Sequence, residues 1–216
     1  QTVNHKVVRK IMKEKGLLCK QKRKFKVTTD SKHSEKVYPN LIRGVIPCDI
    51  NQIWQADISY LTYKNTVLYI ATIIDGCSRK CIGKAFSRDI DSLLTIEALN
   101  EALRYREIKK GLIHHSDRGR QYVSQAYVNI LLENNIELSM SKPGCPYENG
   151  KAESFIKTFK YEEVYMNEYE NVNDLIVRLT RYLENYYNDI RSHSSIGYMT
   201  PNAYEMKIKN PSDFSK

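Results

Sequence analysis

The sequence has no apolar run long enough to cross a membrane. Its longest mainly apolar stretch, residues 67–74, falls far short of the roughly 20 residues that a spanning helix needs, and it stops at Asp75. No secretory pattern opens the chain either, so a soluble, intracellular protein with no membrane partner is expected. Paired cysteines are also missing. The five present, Cys19, Cys48, Cys77, Cys81 and Cys145, are odd in number and scattered without a CxxC, which argues against a disulfide framework and a zinc ribbon and leaves free thiols as the plain reading. There are no internal repeats and no low-complexity tracts, and no nucleophile elbow appears, so cysteine or serine nucleophile schemes lose their support.

What the chain does have is an uneven charge. Residues 1–50 hold 13 Lys and Arg against 4 Asp and Glu, whereas residues 51–216 hold 21 of each, so the whole +9 excess sits in the first quarter. A basic arm beside a neutral domain points to a polyanion such as nucleic acid, with a solvated charged linker as the alternative. The opening stretch "VNHKVVRKIMKEK" sets Val3, Val7, Val8, Ile11 and Met12 on one helical stripe that stops at Gly16. A lone helix of that length is marginal without a partner, and the chain opens on Gln1, so a start inside a longer protein is expected. Residues 20–40 are polar, basic and aperiodic, as an extended linker would be.

From Ile53 the pattern changes. "IWQADISYLTY", "TVLYIATIID" and "KCIGKAF", separated by short turns, read as a three-stranded antiparallel meander. Asp89 or Asp91 then caps a helix with Leu94, Ala98, Leu99 and Leu103 on one face, and "GLIHHSD" follows as a fourth strand. "SQAYVNILLENN" reads as a helix and "IELSM" as a fifth strand. "SKPGCPYENG" reads as a loop, "KAESFIKTFKYEEVY" as a helix, and a further helix runs from about Asn173 to Ile190. Residues after Pro201 look peripheral. Three strands followed by alternating helix and strand give an α/β fold, a mixed five-stranded sheet flanked by helices.

Three carboxylates stand out in this pattern. Asp57 lies inside the first strand among Trp54, Ile58 and Leu61, where an uncompensated charge is expensive. Asp117 ends the fourth strand, and Glu153 sits in the first turns of the helix after the loop. If strands one and four are neighbours, the two aspartates meet at one sheet edge and the helix delivers the glutamate. Taken singly, each has an ordinary alternative: a turn acceptor, a turn cap, a solvated helix residue. Together, without thiolates, they form the oxygen-rich set that Mg²⁺ or Mn²⁺ prefers. At about 100° per residue, Lys157 and Lys160 share the face of Glu153 and suit a phosphate backbone, the alternative being an ordinary Glu-to-Lys helix pair. His114 and His115 point to opposite faces of the strand, so only one is able to join the site, and both read as structural or supporting residues.

"WQADISY", "HHSDRGRQY" and "ENGKAESFIKTFK" resemble the signature blocks of DDE transposases and retroviral-type integrases, and most of all the IS-three family of bacterial insertion-sequence transposases. The 35 residues between Asp117 and Glu153 match that superfamily's spacing. "YYNDIRSHSSIGYMTPNAYE" is similar to the family's ending, and "NHKVVRKIMKEKGL" to the segment ahead of its core. Departures are Glu148-Asn149-Gly150 where Asp-Asn-Ala is common, Arg120 where serine is common, and Ser192 where proline is common; none touches the three acidic residues.

The resemblance implies a ribonuclease H-like catalytic core over residues 51–205. It places the end of a helix-turn-helix region at 1–19, a basic linker at 20–50 and a tail at 206–216. It also implies two Mg²⁺ per site, with Mn²⁺ able to substitute, held by Asp57, Asp117 and Glu153. The partners implied are double-stranded DNA, as element terminal repeats and target, and a homodimer or larger synaptic complex in the bacterial cytoplasm, associated with the nucleoid. DNA contacts are expected from Lys157, Lys160, Lys151, Arg118 and Arg120, and from Lys22, Arg23 and Lys24 in the linker. Two alternatives remain at this point: a non-catalytic DNA-binding regulator of a complete transposase, and a structure-specific nuclease that cuts without joining.

Overall fold

The computed structural model describes residues 4–15, 17 and 36–214. Lys22, Arg23, Lys24, Gly16 and most of the basic linker therefore lie outside the described residues. Helix α1 (His5–Glu14) begins where the Asn4 side chain accepts from the Lys6 N–H at 2.9 Å. None of its residues is buried, and the stripe of Val7, Val8 and Ile11 is exposed.

Strands β1 (Ile53–Tyr63), β2 (Thr66–Asp75), β3 (Cys81–Ser87), β4 (Ile113–Ser116) and β5 (Glu137–Met140) form one sheet in the order β3-β2-β1-β4-β5. The first three pair antiparallel, because turns of a few residues return the chain directly. β1 pairs parallel with β4, and β4 with β5, each after a helical crossover. The helices are α2 (Ser92–Tyr105), α3 (Arg120–Val123), α4 (Gln125–Glu133), α5 (Gly150–Phe159), α6 (Val172–Arg181) and α7 (Pro201–Lys209). Of the two candidate caps of α2, Asp91 is the one used; it accepts from the Leu94 N–H at 3.1 Å. Both α5 and α6 run on into π-helical turns, Lys160–Val164 and Tyr182–Ile190. The loop at 141–150 contains a 3₁₀ turn, Pro146–Asn149, that feeds α5.

The period-2 alternation of β1 and β2 divides the apolar side chains between two cores. Trp54, Ala56, Ala71 and Ile73 pack with Leu94, Ala98, Leu99 and Tyr127 under α2 and α4. Leu61, Leu68, Ile70 and Ile74 pack with Phe155, Phe159, Leu179 and Leu183 under α5 and α6. At Gly83 a Cβ would fall 2.2 Å from the Ala98 carbonyl oxygen, so α2 crosses β3 at a separation that only glycine permits.

The segment after Pro201, which reads as peripheral in the sequence, is tied into the body of the protein. Glu205 on α7 is buried and accepts from Arg106 Nη1 at 2.7 Å, Arg106 Nη2 at 2.9 Å and Ser78 Oγ at 2.7 Å. Arg106 also reaches Asp75 at 3.3 Å and donates from Nε to Asn51 Oδ1 at 2.8 Å. These groups join the end of α2, the β2–β3 turn and α7 in one nearly solvent-free ionic network. Glu205→Ala leaves the Arg106 guanidinium buried and short of its main partner, so unfolding in urea is expected to show a loss of about 3–5 kcal/mol. A loss below about 1 kcal/mol would mean that the network contributes little.

Candidate active site

The site is built on the parallel pairing of β1 with β4. Ile53 pairs with Ile113, Trp54 with His114 and Gln55 with His115, a constant offset that sets Asp57 level with Asp117 just past the end of β4. Asp57 belongs to the same alternation as Gln55 and Leu61, so it lies on the sheet face that α5 covers. Its Oδ1 accepts from the Ile58 N–H at 2.8 Å, while Asp117 Oδ1 accepts from the Gly119 N–H at 2.9 Å as the chain turns into α3. Glu153 stands in the first turn of α5 and pairs with Lys157 at 3.0 Å; both side chains are substantially exposed.

Electrostatics tie the three acids together. Burial first, then the Asp117 carboxylate and more weakly that of Glu153, push Asp57 up to about 8, against the opposing pull of the Ile58 N–H and Lys160. Burial also holds the Lys160 ammonium below its usual value, while the Asp57 carboxylate draws it upward. Lys160 lies over the Tyr60 ring, 4.8 Å from its centroid. Among the described residues no three His, Cys, Asp or Glu side chains already form a closed ligand group. The donor set nonetheless fits a hard divalent cation: a half-buried carboxylate destabilised by two other carboxylates, with oxygen ligands only. Glu153 is turned toward Lys157 and would join the set by leaving that exposed pair.

The histidines divide between the two faces, as alternation requires. His114 Nε2 meets Tyr127 Oη at 2.9 Å on the α4 side, and His115 Nδ1 meets Ser139 Oγ at 2.8 Å. Burial pushes them down to about 3 and about 4, which keeps both neutral. Of the basic residues expected near DNA, Lys157 and Lys160 flank Glu153. Arg118 donates to the Ser141 carbonyl at 3.1 Å, and Arg120 is exposed at the start of α3. Lys151 points away from this group and donates to the Gly76 carbonyl at 2.7 Å.

One residue not singled out in the sequence holds the assembly in place. Asn149 is buried, donates to the Ala56 carbonyl at 2.9 Å and accepts from Gln55 Nε2 at 3.3 Å, so the start of α5 is pinned to β1 one residue before Asp57. An asparagine in a proline- and glycine-rich loop reads as a turn residue, and nothing in its neighbours marks it as a cross-link.

Comparison with known proteins bears on this site. Two family models, each described as "Integrase core domain", match residues 49–146 and 134–201. The chain is 38% identical over 199 residues to the "Insertion element IS600 uncharacterized 31 kDa protein" of Shigella sonnei, covering 92% of this chain and 73% of that protein. It is 34% identical over 203 residues to the "Transposase for insertion sequence element IS904" of Lactococcus lactis subsp. lactis (strain IL1403), covering 94% and 80%. Its fold is similar to the HTLV-2 integrase catalytic core domain solved in complex with magnesium, with a TM-score of 0.55 and 17% identity over 73% of this chain and 98% of that one.

The pH dependence of stability has a definite sign. Asp57 keeps its proton in the folded state up to about pH 8, whereas the unfolded chain releases it near 3.8, so without metal stability falls as pH rises through that window. His114, His115 and His193, held neutral in the fold, act the opposite way and only below their ordinary value of 6.5, and Lys151, held down to about 8, begins to oppose Asp57 near that value, which leaves roughly pH 6.5–7.5 to Asp57. Urea melts in EDTA are expected to show wild type losing stability across that interval and Asp57→Asn not doing so. Parallel curves would contradict the assignment. Asn149→Ala should cost about 1–3 kcal/mol in the same melts, because it strips the partner from the Ala56 carbonyl and from Gln55.

Proposed function

The chain belongs to the integrase core domain family, which takes in insertion-sequence transposases, and on that premise we propose that Asp57, Asp117 and Glu153 hold the divalent metal with which it cleaves and joins DNA at the ends of an insertion sequence. The reaction class is polynucleotidyl transfer by phosphodiester transesterification. The observation that carries the residue assignment is Asp57, a carboxyl group on the covered face of the sheet, level with Asp117; burial and two other carboxylates oppose its charge, and a bound cation would favour it.

Mg²⁺ is the cofactor, with Mn²⁺ able to substitute and two ions per site; when bound, such ions supply Lewis-acid stabilisation of the phosphoryl oxygens and activate the attacking hydroxyl. The protein's own part is placement. The sheet holds Asp57 and Asp117 level at the ends of neighbouring strands, the Ile58 and Gly119 N–H groups fix one oxygen of each, and Glu153 on α5 is near enough for its charge to act on Asp57. Lys157 and Lys160 on the same helix face offer cationic contacts to a DNA strand, with Arg118, Arg120 and Lys151 further out. Lys22, Arg23 and Lys24 would track flanking phosphates. Double-stranded terminal repeats and target DNA are the partners, engaged by a homodimer or larger synaptic complex in the bacterial cytoplasm. Nothing observed favours a non-catalytic regulator.

The test is a strand-transfer assay with a labelled 3′-hydroxyl duplex and a plasmid target, run in Mg²⁺, Mn²⁺ and EDTA. Asp57→Asn, Asp117→Asn and Glu153→Gln are each expected to reduce joining at least about 100-fold, with the fold retained by circular dichroism. Full activity in any one of the three would remove that residue from the site, and joining in EDTA would remove the metal.

A further inference from the structure

Helix α5 has a second basic flank. At about 100° per residue, Lys151 and Thr158 point to the side of the helix away from Glu153 and Lys160, with Ser154 between the two flanks, and the three line a cleft of about 530 Å³ whose lining also includes residues 192–195 and Tyr198. Arg79, from the β2–β3 turn, enters the same cleft. Its Nε is buried without a hydrogen-bond partner, and Lys151 spends one of its three protons on the Gly76 carbonyl, leaving two for the cleft. Arg191, also in the wall, is neutralised by Glu162 at 2.7 Å, whereas Arg79 and Lys151 form no ion pair among the described residues and feel the Asp75 carboxylate only at longer range.

The backbone supports a purpose for this placement. Arg79 sits at φ 67° and Tyr198 at φ 58°, a left-handed conformation that neither residue type favours. Arg79 is held there by the turn around Asp75, whose carbonyl accepts its N–H at 2.9 Å and whose Oδ1 accepts from the N–H groups of Cys77 and Ser78. Glycine would occupy such a position without strain, so keeping an arginine there costs free energy that the turn itself does not need. Tyr198 is 76% exposed at the rim, with its ring open to stack on a sugar or base.

The geometry points to a binding site for one phosphodiester of DNA in this cleft, with Arg79 and Lys151 as its cationic contacts and the Ser194 and Ser195 hydroxyls as neutral ones. A guanidinium fork, an ammonium and two hydroxyls around one cleft match the tetrahedral oxygens of a phosphate. The assignment rests on the proposed function, in which DNA is engaged at the carboxylates on the other flank of α5.

The test measures the binding of a fluorescein-labelled duplex to the full chain in EDTA across a salt series, by fluorescence anisotropy. Arg79→Gly is expected to weaken binding roughly five- to tenfold and to flatten the plot of log affinity against log salt by about one unit, with an unchanged or raised melting temperature. Lys151→Gln should move both readouts the same way, and it decides the matter if the glycine variant does not fold. Wild-type affinity and slope in both variants would overturn the site. So would loss in Arg79→Gly of a stabilisation by inorganic phosphate while duplex binding stays intact, because the cleft would then take free anions and not DNA. A wild type that binds no duplex at all defeats the proposed function as well; variants that match a DNA-binding, strand-joining wild type defeat the cleft alone.

Discussion

Two carboxyl groups held level at the ends of adjacent parallel strands cannot both carry charge without cost, and the fold is arranged so that they cannot move apart. The constant offset between β1 and β4 fixes Asp57 beside Asp117, and a slip of one residue would turn Asp57 to the other face. Apolar packing enforces that register on both sides of β1. Trp54 and Ala56 lie in one core and Leu61 in the other, so a shift would expose side chains from both at once. The closeness of the two groups is therefore sustained by burial elsewhere, and Asp57 is held protonated unless a cation takes the proton's place.

Glu153 is the adjustable member. It rides on α5, whose inner face of Phe155, Ile156 and Phe159 is fixed in the second core and whose first turn is pinned by Asn149. The helix is rigid in position while the Glu153 carboxylate is free to exchange its exposed lysine partner for another cation, since such a pair contributes only tenths of a kcal/mol. The Arg106–Glu205 network lies away from this chemistry and serves the scaffold, closing α7 against the β2–β3 turn that also carries Arg79. One short turn thus links the stability of the body to the second basic flank of α5.

Much of this was legible in the sequence because it is written in periodicity. Alternation marked β1 and β2, the 3.6-residue stripe marked α2, and the placement of Asp57 on a strand, Asp117 at a strand's end and Glu153 on a helix followed from the order of elements. Less legible were features made by contacts across the chain. Asn149 cross-links to Ala56, 93 positions away, and Arg106 to Glu205, 99 positions away; neither leaves a local pattern. The burial of Glu205 in a segment that reads as peripheral is of the same kind, since an acidic residue on a short helix looks solvated until its partner is in view. The left-handed Arg79 was hidden because the Asp75–Lys80 turn contains ordinary turn residues and the strain falls on one that is not.

The central claim is that Asp57, with its neighbouring acids, forms a site for a divalent cation. Titration of Mn²⁺ followed by the electron paramagnetic resonance signal of the free aquo ion measures this without requiring turnover or DNA. Wild type is expected to quench the signal saturably, with Mg²⁺ competing, and Asp57→Asn is expected to abolish or strongly weaken that binding. Equal Mn²⁺ binding by the two proteins would contradict the account, because the carboxylate most in need of a cation would then play no part in holding one.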